Sequence, residues 1–287
     1  MLGKKRFAEA LCKSPCADLY AKHNHGRPSK IAMKDNIPKA ALVTGAAKRL
    51  GRAIALDLAR HGFAVAVHAN RSLNEAQAVV DEILGFGGTA VALQADLRDR
   101  LATAALVPDA AAALGPIGLL VNNASVFLDD SAQAFDADVF DQHFDLHVRA
   151  PAILASSLLQ ELPARQNGLI VNIIDQRVLA PKPTFFSYGL SKSTLLAATH
   201  TMAQAFAPRI RVNGIGPGPT LKSARQADED FQAQIDALPL GRGPELGEFG
   251  RTIRFLFDTP SITGQMIALD GGQHLAWRMP GETEITE

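Results

Sequence analysis

The chain has 287 residues, carries 29 basic and 29 acidic side chains, and is 47% hydrophobic. This balance is typical of a globular cytoplasmic protein and indicates neither nucleic acid nor a membrane surface as a partner. Its two cysteines, Cys12 and Cys16, could form a redox pair, although cysteines in such a basic segment are more often inert. From Met33 onward there is no cysteine, so neither a disulfide framework nor a thiol nucleophile is expected there. The histidines are scattered, so a structural metal site is not expected either.

Residues 1–37 differ from the remainder because basic side chains are in excess and no strong apolar period is present. The segment also lacks the continuous apolar region of a secretory signal. Three interpretations stay open: a disordered basic tail, a weak helix over Phe7–Tyr20, or an over-called start with Met33 as the true initiator. The last two are favoured about equally, and none gives the segment a catalytic role.

A glycine-containing loop follows the first predicted strand, Ala40–Val43, and precedes a helix predicted over Arg52–His61. The loop is Thr44–Gly51, in which Gly45 permits a tight turn and Gly51 lets the helix pack closely against the strand. The free N–H groups at the helix start would then face an anion such as a dinucleotide pyrophosphate. An ordinary β–α turn is the plain alternative for a glycine pair considered alone.

The end of the second predicted strand, Phe63–His68, carries no acidic residue. In a dinucleotide-binding fold this point meets the adenosine ribose, where a carboxylate favours NAD and an arginine accommodates the 2′-phosphate of NADP. The residues found there are Asn70, Arg71 and Ser72, with Lys48 and Arg49 in the neighbouring loop. Each charge-assisted bond to phosphate contributes ~1.5–3 kcal/mol, so two predict NADP(H) over NAD(H) by at least ~100-fold.

Helices and strands are predicted to alternate along the remaining chain. The helices are Asn74–Leu84, Asp99–Leu114, Asp138–Leu162, Ser191–Ala207 and Leu246–Phe257, and the strands are Thr89–Gln94, Leu119–Asn122, Leu169–Ile174, Arg211–Ile215 and Met266–Leu269. Pro108 predicts a kink or break, whereas Pro151 is accepted inside its helix. Leu221–Leu238 lacks a clean period, as a mobile lid would. Seven strands alternating with helices predict an α/β fold, a single doubly wound parallel sheet with helices on both faces.

Tyr188 and Lys192 lie four residues apart at the start of a predicted helix, so their side chains share one face. A cation within a few ångströms lowers a phenol pKa of ~10 by ~1–3 units. The pair thus predicts that Tyr188 donates a proton at neutral pH. Because chance produces this spacing often, a tyrosine anchoring a helix start beside a solvated lysine is the alternative, and the upstream glycine loop favours the catalytic interpretation.

The motifs together resemble the short-chain dehydrogenase/reductase family over residues 38–278, and residues 279–287 are expected to form a C-terminal tail. They are Thr44-Gly45…Gly51, Asn122-Asn123-Ala124, Tyr188…Lys192, Arg211-Val212-Asn213…Pro217-Gly218 and Asp270-Gly271-Gly272. The resemblance implies a seven-stranded Rossmann sheet, nicotinamide-dependent hydride transfer to a small-molecule substrate, and a homotetramer. It also implies that the tyrosine protonates the substrate, while the lysine binds the nicotinamide ribose and lowers the tyrosine pKa.

The expected NADP(H)-binding residues follow from these motifs and from the strand ends. They are Gly45, Lys48, Arg49, Leu50, Gly51, Asn70, Arg71, Ser72, Asp96, Leu97, Asn123, Ala124, Ser125, Tyr188, Lys192, Pro217, Gly218 and Thr220.

Four positions depart from the usual family pattern. Arg49 replaces a loop glycine, Ser125 a small residue, Asp175 the catalytic serine and His147 an asparagine. The first three, with Phe127, resemble the pteridine and dihydromonapterin reductases. That resemblance implies that Arg49 contacts cofactor phosphate and approaches the substrate, and that Phe127 stacks a flat pterin against the nicotinamide. It further implies a catalytic set of Asp175, Tyr188 and Lys192, and substrate contacts from Arg49, Phe127, Asp175 and Tyr188.

Asp175 also has a chemical argument that is independent of the family. An ionised carboxylate there would repel a developing alkoxide and raise the Tyr188 pKa, so it suits a substrate in which a nitrogen is protonated. The alternatives are that Asp175 only caps a loop and that Phe127 only packs a loop onto the sheet. Ser187 faces elsewhere and is a poor substitute. His147 could donate in place of asparagine or cap a polar pocket.

The sequence therefore predicts an NADPH-dependent reductase of a pterin C=N bond, acting on dihydromonapterin or dihydrobiopterin. One alternative is a carbonyl reductase on the same scaffold, for a 3-oxoacyl thioester or a sugar ketone. Another is a non-catalytic NADP(H)-binding sensor.

Overall fold

The computed structural model describes residues 36–222 and 226–276. The interpretations offered for residues 1–35 and the tail 279–287 lie outside these ranges. The described chain forms one seven-stranded parallel sheet in the order β3-β2-β1-β4-β5-β6-β7. Its strands are β1 (Ala40–Val43), β2 (Ala64–Ala69), β3 (Thr89–Gln94), β4 (Leu119–Asn122), β5 (Gly168–Ile173), β6 (Ile210–Pro217) and β7 (Met266–Leu269). The predicted fold class is confirmed.

Helices connect the strands on both faces of the sheet. They are α1 (Arg49–Arg60), α2 (Leu73–Gly85), α3 (Arg100–Leu114), α4 (Ala137–Phe144), α5 (Ala150–Glu161), α6 (Phe186–Phe206), α7 (Asp228–Asp236) and α8 (Leu246–Asp258). A π-helical turn, Asp145–Arg149, joins α4 to α5, and 3₁₀ turns follow β5 at Gln176–Val178 and β7 at Gln273–Leu275. Within the described ranges, no helix is both long and apolar enough to cross a membrane.

Two apolar layers bury the sheet from opposite sides. Val43 belongs to the layer formed with α1, α2 and α8, whereas the preceding Leu42 belongs to the layer formed with α3, α5 and α6. Side chains alternate across a strand, so both faces of β1 must be apolar. This explains why the central strands are continuous apolar runs rather than alternating ones.

The sheet changes direction at β1, which pairs with β2 on one side and with β4 on the other. In such a sheet the crevice beyond the carboxyl ends of the two diverging strands is the usual place for a ligand. Val43 and Val121 are register partners, so the residues that follow them, Thr44 and Asn122, meet at this edge.

Pro108 does not break its helix, so of the kink or break predicted there the break is wrong. α3 runs without interruption from Arg100 to Leu114. A proline inside a helix cannot donate to the carbonyl four residues earlier, which here belongs to Ala104. The Ser157 hydroxyl on α5 donates to that carbonyl at 3.3 Å. A neighbouring helix thus supplies the hydrogen bond that proline removes.

The single helix predicted over Asp138–Leu162 is wrong, because the structure divides it into α4, the π-helical turn and α5. Pro151 is near the start of α5 and leaves the carbonyl of His147, four residues earlier, without its helical donor. Leu221–Leu238, where no clean period was found and a mobile lid was the interpretation, contains the helix α7. None of the α7 side chains is buried, so the helix has no apolar period to be recognised.

Candidate active site

A cavity of about 700 Å³ opens at the carboxyl edge of the sheet. Of the predicted cofactor-binding residues, all except Ser72 and Thr220 line it, and Asp175 lines it as well. Phe127 is not among the lining residues. Sequence reasoning missed several members of the wall, namely His68, Arg98, Val126, Gln142, Leu146, Ile173 and Ile174.

Two positions of the glycine loop, Gly45 and Gly51, accept only glycine. Gly45 has φ of +62°, in the left-handed region, and a Cβ placed on Gly51 would lie 2.2 Å from the Gly45 carbonyl oxygen. The same Cβ would lie 2.5 Å from the side-chain nitrogen of Asn123. Because Gly45, Gly51 and the first residues of α1 all line the cavity, they form a backbone cradle that fits a pyrophosphate at a helix start.

Two polar side chains hold this loop in place. His68 accepts the Gly45 N–H at Nδ1 (3.1 Å) and donates from Nε2 to the Ala95 carbonyl (3.1 Å). Burial lowers the His68 pKa to about 4, so the ring is neutral at pH 7. Asn123 donates its amide to the carbonyls of Thr44 and Gly45 at 2.8 and 3.1 Å. A histidine inside an apolar strand was the sequence feature that could have identified His68.

Arg71 is exposed just beyond β2 and lines the cavity, as the predicted 2′-phosphate site requires. Lys48 forms an ion pair with Glu75 at 2.7 Å, so its ammonium already faces a carboxylate. Arg98 pairs with Asp96 at 2.8 Å. The hydrogen bond from Arg98 is the main reason that the Asp96 pKa lies below its usual value, and the charge of Arg71 contributes.

Arg49 directs its side chain toward the segment after β6. Its guanidinium donates to the carbonyl of Leu221 at 3.2 Å and to the carbonyl of Lys222 at 3.1 Å. The backbone of Arg49 has φ of +52°, a left-handed conformation that costs a non-glycine residue about 1 kcal/mol. Arg49 therefore joins the first loop to the segment beyond β6 while it lines the cavity, and its contacts with phosphate and substrate stay predictions.

Tyr188 and Asp175 are directly hydrogen-bonded. The phenol donates to Asp175 Oδ2 at 2.8 Å, and Asp175 Oδ1 accepts the Arg177 N–H at 2.8 Å. Asp175 therefore caps the 3₁₀ turn and contacts the tyrosine at the same time, and its catalytic role stays a prediction. Lys192 is buried and donates from Nζ to the Ile173 carbonyl at 2.9 Å.

The predicted lowering of the Tyr188 pKa by Lys192 is wrong. Burial raises the pKa of Tyr188 well above 10, the negative charge of Asp175 raises it further, and only Arg177 and a hydrogen bond with Ser125 oppose this. Burial lowers the pKa of Lys192 to about 8, with Asp175 acting in the opposite direction. The expectation that Asp175 raises the Tyr188 pKa agrees with this arrangement. Tyr188 thus keeps its proton throughout the neutral range.

An aromatic cluster borders the tyrosine. The Phe127 ring stacks on Phe185 with centroids 4.1 Å apart, and meets the Tyr188 ring edge-on at 4.7 Å. The Arg177 guanidinium lies 5.0 Å from the Phe127 centroid and 5.2 Å from that of Phe185. Phe127 therefore packs its loop onto neighbouring side chains, as the alternative interpretation expected, and it does so beside the Tyr188 phenol.

His147 does not line the 700 Å³ cavity. It is buried in the π-helical turn, where Nε2 contacts the Ser125 hydroxyl at 2.9 Å and the Val126 N–H at 3.3 Å, while Nδ1 contacts the Ser191 hydroxyl at 2.8 Å. Of the two interpretations of His147, this geometry favours the polar contact inside the helix. Ser187 is buried against His143 and, as expected, does not substitute for a catalytic serine.

A model of the family described as "short chain dehydrogenase" matches residues 39–233. The chain belongs to the short-chain dehydrogenase family. Membership makes it an oxidoreductase with a Rossmann-type fold, and confirms the family that the motifs indicated.

Two solved structures of this family are similar to the chain at high identity. The FolM alternative dihydrofolate reductase 1 from Brucella suis, in complex with NADP, is 56% identical and has a TM-score of 0.83, covering 86% of this chain and 99% of that one. The protein of the same name from Brucella canis, also complexed with NADP, is 55% identical with a TM-score of 0.83, covering 88% and 99%. These neighbours support the pterin-reductase-like subgroup that the departures at Arg49 and Asp175 indicated.

A more distant relative represents the alternative activity. The 3-oxoacyl-[acyl-carrier-protein] reductase FabG of Staphylococcus aureus is 29% identical over 242 residues, which are 83% of this chain and 98% of that protein.

Proposed function

We propose that this short-chain dehydrogenase is an NADPH-dependent reductase of a pterin C=N bond, which converts a dihydropterin such as dihydromonapterin or dihydrobiopterin to the tetrahydro form. The observation that carries the proposal is the 2.8 Å hydrogen bond from the Tyr188 phenol to the Asp175 carboxylate. The similarity to FolM proteins, named as alternative dihydrofolate reductases, supports the same substrate class.

The cofactor is NADP(H). Arg71 lines the cavity just beyond β2, where no acid is present to bind a free 2′-hydroxyl. The backbone cradle at Gly45 and Gly51 would hold the pyrophosphate, and Lys192 would donate to the nicotinamide ribose with the ammonium protons that the Ile173 carbonyl does not take. Bound NADPH would supply a hydride to the ring carbon of the substrate.

The protein's own contribution is to hold a proton where the ring nitrogen needs it. Tyr188 stays protonated because burial and Asp175 hold its pKa well above 10. Hydride addition to the ring carbon leaves the electron pair of the C=N bond on the nitrogen. Transfer of the Tyr188 proton to that nitrogen gives a neutral amine N–H and a tyrosinate, which takes up a proton from water. In a ketone reduction the oxygen carries alkoxide charge as the hydride arrives, and the Asp175 carboxylate would repel that charge, whereas a C=N nitrogen is basic enough to take the proton as the hydride arrives.

On the resemblance to pteridine reductases, Phe127 is the proposed contact for the flat face of the pterin, and its ring centroid lies 4.7 Å from that of Tyr188. Arg49, in the loop after β1, is proposed to contact both the cofactor phosphate and the substrate. A homotetramer stays a proposal that rests on family resemblance.

A carbonyl reductase is the second candidate, supported by the 29% identity to FabG. The Asp175 carboxylate disfavours this activity for the reason given above. A non-catalytic sensor is disfavoured because Tyr188 and Lys192 both line the cavity.

The deciding experiment follows NADPH absorbance with purified protein and either dihydromonapterin, dihydrobiopterin or a panel of ketones that includes a 3-oxoacyl thioester. Oxidation with a pterin and none with the ketones is the expected result. Oxidation with ketones alone would assign the second candidate function, and no turnover with any substrate would favour the sensor.

Asp175 provides a sharper test of the proton-delivery role. We expect Asp175→Ser to lower kcat for the dihydropterin by about 100-fold, which is the usual loss when a general acid–base group is removed. Asp175→Asn is the matched control for shape, because its amide oxygen can still accept the Arg177 N–H and cap the turn. Wild-type pterin turnover in Asp175→Ser would show that the residue acts only as the cap.

A further inference from the structure

Two histidines one helical turn apart are buried beneath the aromatic cluster. His143 lies on α4 and His147 in the π-helical turn. Their rings are nearly parallel at 19°, with centroids 5.5 Å apart. Both side chains are almost fully buried, at 0% and 1% exposure, so each ring nitrogen needs a partner within the protein.

The hydrogen bonds of the two rings follow the same pattern. His143 Nε2 accepts the Leu128 N–H at 3.2 Å, and His147 Nε2 accepts the Val126 N–H at 3.3 Å. An acceptor at Nε2 places the proton of a neutral ring on Nδ1. The Nδ1–H groups then donate to the hydroxyls of Ser187 at 2.7 Å and Ser191 at 2.8 Å.

Each histidine therefore bridges a backbone amide on one segment and a serine hydroxyl on another. The two amides, of Val126 and Leu128, flank Phe127. The two serines lie on α6 on either side of Tyr188, and the Ser191 hydroxyl donates onward to the Tyr188 carbonyl at 2.8 Å.

The tyrosine ring also touches both bridges. Its centroid lies 5.7 Å from that of His143 and 5.5 Å from that of His147, and both contacts are edge-on. The same loop is tied to α6 again at Asp130, whose carboxylate oxygens accept the Ser187 N–H at 3.0 and 3.2 Å. The loop therefore cannot shift against α6 without breaking these bonds.

We propose that the bridges Leu128–His143–Ser187 and Val126–His147–Ser191 fix the position of Phe127 relative to Tyr188, and so make His143 and His147 positioning residues for a flat heterocyclic substrate. The choice of substrate class rests on the proposed function. The bridges themselves rest only on the contacts of the loop, the histidines and α6.

The geometry requires neutral rings, because a proton on Nε2 would point at the backbone N–H it now accepts. Burial is the main cause that lowers the pKa of both histidines, and the charge of Lys192 acts in the same direction. Asp130 opposes this at His143, while His143 itself lowers the pKa of His147. Both rings are thus neutral at pH 7, which is the state that the bridges need.

Two substitutions separate the two halves of each bridge. Glutamine places its side-chain carbonyl near the position of Nε2 and keeps the acceptor for the loop amide. Asparagine places its amide near Nδ1, which keeps the donor to serine but removes the acceptor. We expect His143→Asn and His147→Asn to raise KM for the dihydropterin by about tenfold, with kcat and NADPH affinity near those of the wild type. The corresponding glutamine variants should stay within about threefold of the wild-type KM.

Hydrogen–deuterium exchange of residues 125–131 measures the same contacts without substrate. We expect faster exchange in the asparagine variants than in the glutamine variants, at equal overall stability. Equal KM values and equal exchange in the asparagine and glutamine variants would overturn the proposal. If the asparagine variants fail to fold, Ser187→Ala and Ser191→Ala provide the second test, because they release the other end of each bridge and should also accelerate exchange. A wild-type protein that reduces only ketones would overturn the proposed function, whereas exchange would still decide the bridges.

Discussion

Asp175 uses its two carboxylate oxygens for different purposes, one for the backbone of the 3₁₀ turn and one for the Tyr188 phenol. The cap fixes where the carboxylate points, and the second oxygen then acts on the tyrosine. A single residue thus caps the turn and contacts the tyrosine, and its catalytic role stays a prediction. The direction of the Tyr188 pKa follows from this contact and from burial, and neither is visible in a Tyr-x3-Lys spacing.

Arg71 gives a residue-scale prediction about the cofactor. Arg71→Asp should weaken NADPH binding by about 100-fold or more and leave NADH binding nearly unchanged, because a carboxylate would repel the 2′-phosphate. Titration of nicotinamide fluorescence with each cofactor measures both affinities. Arg251→Asp, an exposed substitution on α8, is the control for net charge. An equal loss for NADPH and NADH in Arg71→Asp would show that Arg71 does not contact the 2′-phosphate.

At the scale of elements, contacts from neighbouring helices override local preferences. α3 continues through Pro108 because Ser157 on α5 donates to the carbonyl that proline leaves without a donor.

The exposed helix α7 forms without burying any side chain. Its first turn contains Asp228, Glu229 and Asp230, and the interaction of these negative charges with the positive end of the helix dipole stabilises the helix.

The contact between α3 and α5 can be tested with a double-mutant cycle. Ser157→Ala should destabilise the protein by about 1 kcal/mol, because the Ala104 carbonyl loses its donor. In a Pro108→Ala background the restored backbone N–H can serve that carbonyl, so the same substitution should cost markedly less. Urea unfolding of the four proteins measures the coupling. Additive changes would show that Ser157 does not compensate for the proline.

At the scale of the whole molecule, the switch at β1 brings the ends of separate strands to one cavity. The loop after β1, the arginine after β2, the asparagine after β4 and the aspartate after β5 all line it. The residues that are predicted to bind and react therefore come from positions far apart in the chain. Buried histidines stabilise this edge, with His68 bonded to the glycine loop and with His143 and His147 bonded to the loop after β4.

The lowered pKa values of these three histidines predict that the fold loses stability in acid. The folded-state pKa of His68 is about 4, below its value of 6.5 in model compounds, so from pH 6.5 down to 4 the unfolded state binds a proton that the folded state does not. The contribution of His68 to the free energy of unfolding is complete above pH 6.5 and falls by about 1.4 kcal/mol for each pH unit below that value. The lowered pKa values of His143 and His147 act in the same direction.

Urea unfolding at pH 7 and pH 5 measures this loss. The decrease in unfolding free energy should be smaller in His68→Gln than in the wild type, whatever the stability of the variant at pH 7. His200→Gln, an exposed substitution on α6, is the matched control. An identical decrease in His68→Gln and in the wild type would contradict the assignment.

Local sequence patterns determined the fold class and most elements. The bounds of β3, β4 and β7 agree with the prediction, because short apolar runs between turn residues are sufficient to define buried strands. The sequence was also sufficient to identify the glycine loop, the Tyr188 and Lys192 pair and the lack of an acid beyond β2, since each depends on residue type at a fixed spacing.

Only the tertiary structure decided the properties that depend on distant partners. Burial together with Asp175 reversed the expected direction of the Tyr188 pKa, and a serine on another helix kept α3 continuous past its proline. The histidine bridges join α4 and the π-helical turn to the loop after β4 and to α6. A charge or hydrogen bond has an energy only once its surroundings are known, and those surroundings come from segments that are remote in sequence.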